Sequence, residues 1–476
     1  MRTALLLILI FLASFSRAQE SNKYEIPLRV IDAWLEAQRD YADIPGISAG
    51  FVVDQELVWS KGYGYGDLAL ETPVSGTTIY SICSISKLFT AIAVMQLRDQ
   101  GLLDLDDDLR KHLPWLDLQQ VFPKSDKITI RSLLTHSSGV PRDADYYYWA
   151  DSTLPFPTDA QVKEGFSEQK TIYPASTDYE YSNLGITLLG ILVTELSGIS
   201  YEEYIERHIL EPLGLKDTRP EMPEEYYKTR LATGYSVVSR EGERDAFGFF
   251  QADGIAPAAG FSSTVHDLAK FASWQFRIRE EIDDPVLNGN TLKEMQRVHW
   301  LSLPGWDLAR GLGFGIYKIR NTTLVGHSGE CPGYLTQLKL ELSRKWAFVV
   351  MLNCLGEESG RFVEGMLNIL SAYEEDGSAK PGPGIDLEEY AGKYYDFWDG
   401  ESLIVPWKGK LAMFFLRAHY QDGSPTILKH VEKDRFRIVR KDGGRGNDVW
   451  FERDGEGKVV RYHIHSFYRE KMDEVL

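Results

Sequence analysis

The stretch that most limits what this chain can become is SICSISKLFTAIAVMQL, residues 81–97. Ile85, Leu88, Phe89, Ile92 and Met95 recur at the spacing of a helix with one buried face. Ser84 and Lys87 sit three residues apart at its start, nearly one turn, and so point the same way. A hydroxyl and an amine placed like this can act as nucleophile and base. The motif alone is weak, because about one S-x-x-K arises by chance in a chain of this length. Its weight depends on the rest of the sequence.

At 476 residues the chain has room for one large core and a smaller satellite. A hydrophobic content of 43 % excludes wholesale disorder. Residues 1–18, MRTALLLILIFLASFSRA, combine Arg2, an apolar run from Ala4 to Ala13, and the small residues Ser16 and Ala18. That is the pattern of a secretory leader cleaved after Ala18, and it predicts a secreted or periplasmic protein. The apolar run is too short for a hydrocarbon core of about 30 Å, and no later stretch is long enough for a membrane span. The formal net charge of −18, with no basic run to offset it, argues against nucleic acid or anionic lipid as partner. The three cysteines, Cys83, Cys331 and Cys354, are too few for a disulfide framework and read as buried apolar residues. Cys83 adjoins the serine pair and Cys331 a later motif, so whether these two meet stays open.

Along the chain, Ile26 to Tyr41 reads as an amphipathic helix with Leu28, Ile31, Trp34 and Leu35 on one face. ISAGFVV (47–53) and ELVWSKGYG (56–64) read as a hairpin. Gly62, Gly64 and Gly66 fail the dinucleotide fingerprint because position 67 is Asp and no helix follows. LDLDDDL (103–109) lacks the Gly and Glu of a calcium loop and reads as an acidic helix start. Residues from about 90 to 255 are mostly helical and loop-rich, with an aromatic loop at Tyr146, Tyr147, Tyr148 and Trp149 and a helix at 183–197 ended by Gly198. PAAGFSSTVHDLAKFASWQ (257–275) reads as a turn and a helix capped by Ser or Thr. GLGFGIYKI (311–319), NTTLVGHSG (321–329), YLTQLKLEL (334–342) and WAFVVMLN (346–353) are spaced as an antiparallel meander, followed by a helix at 358–373. EEDGSAKPGPG (374–384) reads as a linker. Residues 385–476, short strands split by DG, GG and DGEG turns, read as a separate barrel-like antiparallel β domain. His463 and His465 share a strand face there without a third ligand, and no metal centre is expected.

Two further motifs follow the serine pair. Tyr181-Ser182-Asn183 precedes a helix, and His327-Ser328-Gly329 ends a strand, where glycine permits close approach. Alone, each has an ordinary explanation as a helix cap or a strand histidine. The order S-x-x-K, Y-x-N, H-x-G resembles the serine β-lactamase and DD-peptidase superfamily, best its class C-like branch with its esterases and D-aminopeptidases. THSSG (135–139), LEPLGLKDT (210–218), AAGFSSTVHDLAKF (258–271) and GHSGECPGY (326–334) are similar to that family's flanking sequences.

The resemblance implies an α+β, β-lactamase/transpeptidase-like fold over 19–373, an antiparallel sheet flanked by helices plus a mostly helical subdomain, working without cofactor or metal. It implies that Ser84 attacks a carbonyl and forms an acyl-enzyme that water releases. Either Lys87 or Tyr181 takes the serine proton, and the two can titrate as a pair. A lysine base at neutral pH must drop by about 3 units from its ordinary value, roughly 4 kcal/mol. The backbone N–H groups of Ser84 and Glu330 would form the oxyanion hole, where one donor is worth about 3–4 kcal/mol. Asn183 would hold the substrate amide or the lysine, beside His327 and Gly329. Ser328 is not the nucleophile, since Gly326-His327-Ser328-Gly329 continues with Glu330 and fails G-x-S-x-G.

Many relatives that recognise β-lactams carry lysine where this chain has His327, and Glu330 adds negative charge nearby. Both changes weaken carboxylate binding. The expected substrate is therefore a small ester or a D-amino-acid peptide with a free amine, with Tyr146–Trp149 as a candidate pocket wall. Arg142 could restore the positive charge, which keeps a DD-peptidase or weak β-lactamase open. A reading from another class is a catalytically silent sensor of cell-wall fragments that recognises them through 385–476. The full set of catalytic side chains argues against it. The oligomeric state is not legible.

Overall fold

The computed structural model describes residues 23–144, 155–301, 308–378, 380, 384–418, 425–440, 442 and 444–473. The expected leader at 1–18, the Tyr146–Trp149 cluster and part of the expected linker lie outside these residues. The chain divides into two compact units: Ile44–Gly360, and the described residues of Met1–Asp43 together with Arg361–Leu476.

Ile44–Gly360 is built on an antiparallel sheet with nine strands among the described residues. In chain order these are β1 (Gly46–Val53), β2 (Glu56–Asp67), β3 (Thr72–Pro73), β4 (Trp300–Leu301), β5 (Leu308–Arg310), β6 (Gly315–Ile319), β7 (Thr322–Cys331), β8 (Tyr334–Glu341) and β9 (Trp346–Leu352). Across the sheet they run β3-β2-β1-β9-β8-β7-β6-β5-β4. The expected hairpin is β1–β2 and the expected meander is β6 to β9. Pairing of β1 with β9, from Ile47 opposite Leu352 to Val53 opposite Trp346, joins the two into one sheet. Both strands are apolar-rich and buried at every residue, as central strands covered on both faces must be.

Three helices carry most of the site: α1 (Ser86–Asp99), α2 (Asn183–Ser197) and α3 (Val265–Ile278). The spacing in α1 predicts one buried face, yet every residue from Ser86 to Leu97 is buried. The difference lies in how its polar positions are satisfied. The Thr90 hydroxyl meets the Tyr201 hydroxyl and the Pro257 carbonyl, both at 2.6 Å, and the Ser86 hydroxyl accepts the Phe261 N–H at 3.0 Å. Hydrogen-bonded hydroxyls can be buried at little cost, and periodicity of apolar residues does not register them. On the same helix Phe89 stacks between Phe261 and Phe271, with centroids 5.0 and 4.6 Å away. The helix α3 is capped by Thr264, which accepts the Asp267 N–H. The acidic run behaves as a helix start: Asp108 caps Leu109–His112 and Asp107 accepts from Lys111.

The second unit contains a closed antiparallel barrel of eight strands in sequence order, from Gly392–Asp396 to Phe467–Lys471, among the described residues. The barrel closes where Tyr394 faces Lys471, so the unit presents no open sheet edge there. Its interior is aromatic, with Tyr390, Tyr394, Phe436, Phe451 and Tyr462 buried together. The helix at 23–41 belongs to this unit: the Trp34 indole donates to the Ala418 carbonyl at 2.9 Å and the Gln38 amide to that of Leu416 at 2.7 Å. Gly365 admits the Trp34 ring, since a Cβ there would lie 2.1 Å from it. His463 stacks flat on Trp450 at 3.6 Å and bonds to Glu452, while His465 lies by Asn447.

Because Phe89 anchors the helix that carries the serine–lysine pair, Phe89→Ala should cost about 3–5 kcal/mol. Urea unfolding followed by tryptophan fluorescence would show this as a lower midpoint.

Candidate active site

The chain enters α1 through a tight turn. Cys83 adopts a left-handed conformation (φ 50°) and opens a 3-10 turn, Cys83–Ile85, that runs directly into the helix. This places Ser84 at the helix mouth and Lys87 on its first turn. The Lys87 Nζ lies 3.0 Å from the Ser84 Oγ, 2.8 Å from the Asn183 Oδ1 and 2.8 Å from the Ala258 carbonyl. A neutral amine donates two of these bonds, which leaves its lone pair for the serine proton. Lys87 is fully buried, and that burial holds its amine well below the usual lysine range. Asp143 opposes the shift, while Arg142 and Arg310 add to it.

The Tyr181 hydroxyl faces Ser84, and burial pushes its phenol up, so it holds its proton at neutral pH. Lys87 is drawn toward its neutral form and Tyr181 away from phenolate. Those opposite directions favour the lysine as acceptor and the tyrosine as a donor or relay. The Tyr181 ring lies 4.8 Å from Lys87, 5.1 Å from Arg142 and 5.6 Å from Arg310, with the His136 ring 4.5 Å away.

Asn183 opens α2, but Ser182 does the capping, accepting the Gly185 N–H at 2.7 Å. Asn183 is thereby released for the lysine. Its amide nitrogen donates to Asp143 at 2.8 Å, which fixes the carbonyl end on Lys87. Of the two roles expected for Asn183, the geometry carries that of holding the lysine.

The third motif lies on β7. The His327 Nδ1 sits 2.6 Å from the Ser328 carbonyl, an acceptor, so Nδ1 carries the proton. Its buried Nε2 has no partner, and burial, the first of several causes, holds the ring well below its usual value. Gly329 acts through its size, since a Cβ there would lie 2.3 Å from the Ile82 carbonyl and 2.3 Å from the Thr336 hydroxyl. Only glycine lets the turn before Ser84 rest on the strand. Ser84, Tyr181, Asn183, Arg310, His327 and Glu330 share one cavity of about 780 Å³.

Three features were not read from the sequence. Arg310, at the end of β5, reaches the cavity and donates to the Tyr179 hydroxyl. Its position just ahead of the GLGFG turn that leads into β6 was the available signal. Asp143 carries Asn183, and nothing in the GVPRDAD stretch marks it. His136, within THSSG, accepts the Ser182 N–H at 3.1 Å and so supports the Tyr181 loop. The cysteines are a correction: Cys83 and Cys331 are joined as a disulfide, with Cα atoms 5.7 Å apart, while Cys354 is buried and outside the disulfide. A count of three hides such a pair, because its members lie 248 residues apart and only the fold brings them together.

A sheet flanked by helices, with a serine–lysine pair at a helix mouth facing a strand, defines a β-lactamase/transpeptidase-like protein. A family model described as Beta-lactamase matches residues 31–372, and the chain belongs to that family. The structure is similar to an octameric penicillin-binding protein homologue from Pyrococcus abyssi, with TM-score 0.65 and 24 % identity over 93 % of this chain and 100 % of that one. It is also similar to a D-amino acid amidase from Ochrobactrum anthropi, with TM-score 0.62 and 24 % identity over 73 % and 99 %. These likenesses show a shared fold. In sequence, Protein flp of Staphylococcus aureus (strain MW2) is 26 % identical over 340 residues, 70 % of this chain and 64 % of that protein. Beta-lactamase-like protein 2 of Dictyostelium discoideum is 29 % identical over 307 residues, 62 % of this chain and 54 % of that protein. The chain spans less than two thirds of the length of these relatives.

The lowered Lys87 value predicts the pH dependence of serine reactivity. Protonated Lys87 cannot accept a proton, so fluorophosphonate labelling should rise with pH through the folded-state value and reach its plateau well below 10.5. An ordinary lysine would leave the rate still climbing near pH 10. Labelling rates measured by intact mass from pH 5 to 10 would tell the two apart.

Proposed function

We propose that this chain is an exported serine hydrolase that works through an acyl-enzyme on Ser84, acting on small esters or D-amino-acid-containing peptides. The observation that carries the reading is the buried Lys87 amine, 3.0 Å from the Ser84 hydroxyl and held below its ordinary value. Lys87 takes the serine proton as Ser84 attacks the carbonyl. The backbone N–H groups of Ser84 and Glu330 receive the oxyanion, and Tyr181 relays the proton held by Lys87 to the leaving group, which restores both side chains to their starting forms. Water then releases the acyl group. The D-amino acid amidase among the similar structures supports an amide of a D-amino acid as one substrate class. To the barrel we assign a part in substrate range or assembly.

The test pairs short p-nitrophenyl esters with D-alanine p-nitroanilide, alongside fluorophosphonate labelling. Wild type should take up one adduct and turn over at least one substrate class, and Ser84→Ala should lose both. A chain that neither labels nor turns over would be a binding protein.

A second reading, a substrate that carries a carboxylate, is favoured by Arg310. This guanidinium is 8 % exposed and its buried Nε has no acceptor. Among the described residues it forms no ion pair, and its planar fork suits a carboxylate. The positive charge missing at His327 would then come from two strands away. If so, 3- or 4-carboxyphenylboronic acid should inhibit more tightly than phenylboronic acid by about tenfold, the scale of one charge-assisted hydrogen bond. Arg310→Gln should collapse that ratio, while equal inhibition constants in wild type would restore the ester and amine preference.

A further inference from the structure

We infer that Cys83 and Cys331 form a positioning pair for the two backbone donors of the active site, so that acyl transfer is fast only in the disulfide-bonded enzyme. The inference rests on the acyl-enzyme reading above.

Cys83 immediately precedes Ser84, and Cys331, the last residue of β7, immediately follows Glu330. The bond therefore ties together the neighbours of the two residues whose N–H groups would receive the oxyanion. The other contacts between the two segments are non-covalent packing and side-chain hydrogen bonds. The backbone before Ser84 bonds elsewhere: Ile82 donates to the Phe261 carbonyl, and Tyr80 and Ser81 pair with Ser263 and Ser262. Among the described residues no backbone hydrogen bond joins residues 82–84 to β7. What joins them is the packing on the bare face of Gly329, the Thr336 hydroxyl donating to the Ile82 carbonyl at 3.1 Å, the Ser81 hydroxyl 3.2 Å from the Cys331 sulfur, and the disulfide. Of these only the disulfide is covalent, and it lies beside both donors.

The backbone gives a second reason for a tether. Cys83 is a non-glycine residue in the left-handed region, a conformation that persists where its surroundings over-determine it. The sulfur bond is one such constraint, on the residue that sets the direction of the Ser84 N–H. The substrate walls, by contrast, are held independently: Tyr181 by the Ser182 and His136 contacts, Arg310 by Tyr179. Opening the disulfide should therefore disturb the oxyanion donors and leave the pocket walls in place. Oxyanion donors act over a narrow range of distance, and a displacement of about 1 Å can cost about a hundredfold in rate.

The redox step balances simply. A disulfide such as oxidised glutathione takes two electrons and two protons from the Cys83 and Cys331 thiols, giving the protein disulfide and two glutathione thiols. Dithiothreitol runs the reverse and becomes its cyclic disulfide. Both sulfurs are buried, Cys83 at 0 % and Cys331 at 4 % exposure, so exchange should be slow and the two states separable.

The experiment compares the full chain as purified, after dithiothreitol, and after reoxidation with oxidised glutathione. Alkylation of the denatured, unreduced protein should count one thiol, Cys354, before reduction and three after it. Reduction should slow fluorophosphonate labelling of Ser84 and lower kcat on a p-nitrophenyl ester about ten- to a hundredfold, with KM within about threefold, and reoxidation should restore both. Cys331→Ser should match the reduced enzyme and not respond to either reagent. Three thiols in the purified enzyme, or equal labelling in both states, would overturn the inference. So would loss of near-UV circular dichroism together with activity on reduction, since that makes the bond a staple of the fold. Should Cys331→Ser fail to fold, the reduced wild type decides alone. An oxidised enzyme that takes no adduct on Ser84 would overturn the serine-hydrolase reading itself, a different result from equal labelling in the two states.

Discussion

The arrangement around Ser84 depends on one buried amine. Lys87 lies inside the protein with no carboxylate among the described residues in direct contact, held by a hydroxyl, an amide oxygen and a peptide carbonyl. A charged ammonium in that place would be costly, and three neutral acceptors compensate it less than an ion pair would. The surroundings therefore favour the neutral form, which is the form a proton acceptor needs. Each acceptor comes from a different part of the chain: the mouth of α1, the first residue of α2 and the turn before α3. The lysine thus links the packing of three helices to the reactivity of one hydroxyl.

The neighbouring charges sharpen that preference without abolishing it. Arg142 and Arg310 both push Lys87 toward neutrality, while the charge of Asp143, which also holds Asn183, pulls the other way. Arg310 bears on both His136 and His327, and Arg142 on His136, and burial holds both rings below their usual values. The two imidazoles are thereby kept neutral, and the positive charge of the cavity wall resides on guanidinium groups. Against this background Tyr181 keeps its proton, because burial outweighs the attraction of the cations for a phenolate. Proton acceptor and proton donor are separated by environment rather than by residue type alone.

Much of this was legible in the chain and some was not, for physical reasons. Alternation and apolar runs located β1–β2 and the β6–β9 meander, because strand period and turn residues are local properties. The S-x-x-K, Y-x-N and H-x-G motifs marked Ser84, Lys87, Tyr181, Asn183, His327 and Gly329, and the fold brings all six to one place, with Glu330 on the rim of the same cavity. The burial of α1 on all sides from Ser86 to Leu97 was not legible, since it depends on partners such as Tyr201 and Pro257 more than a hundred residues away. Arg310 and Asp143 were missed for a related reason: a charged residue near a turn reads as solvated until the fold shows what covers it. The cysteine pair marks the limit most clearly, because only a contact between β7 and the turn before α1 makes it a pair.

That contact also shows how one small residue can set the geometry of chemistry. Gly329 has no Cβ because the Ile82 carbonyl occupies the space where one would sit. The strand and the turn approach so closely that nothing larger than glycine fits between them, and the Thr336 hydroxyl donates a hydrogen bond to the same carbonyl. Packing fixes the approach of the two segments across the strand. It does not fix their sliding along it, for a glycine surface offers no side chain to interlock. A covalent bond between residues 83 and 331 constrains that remaining motion, and it does so at the positions adjoining Ser84 and Glu330.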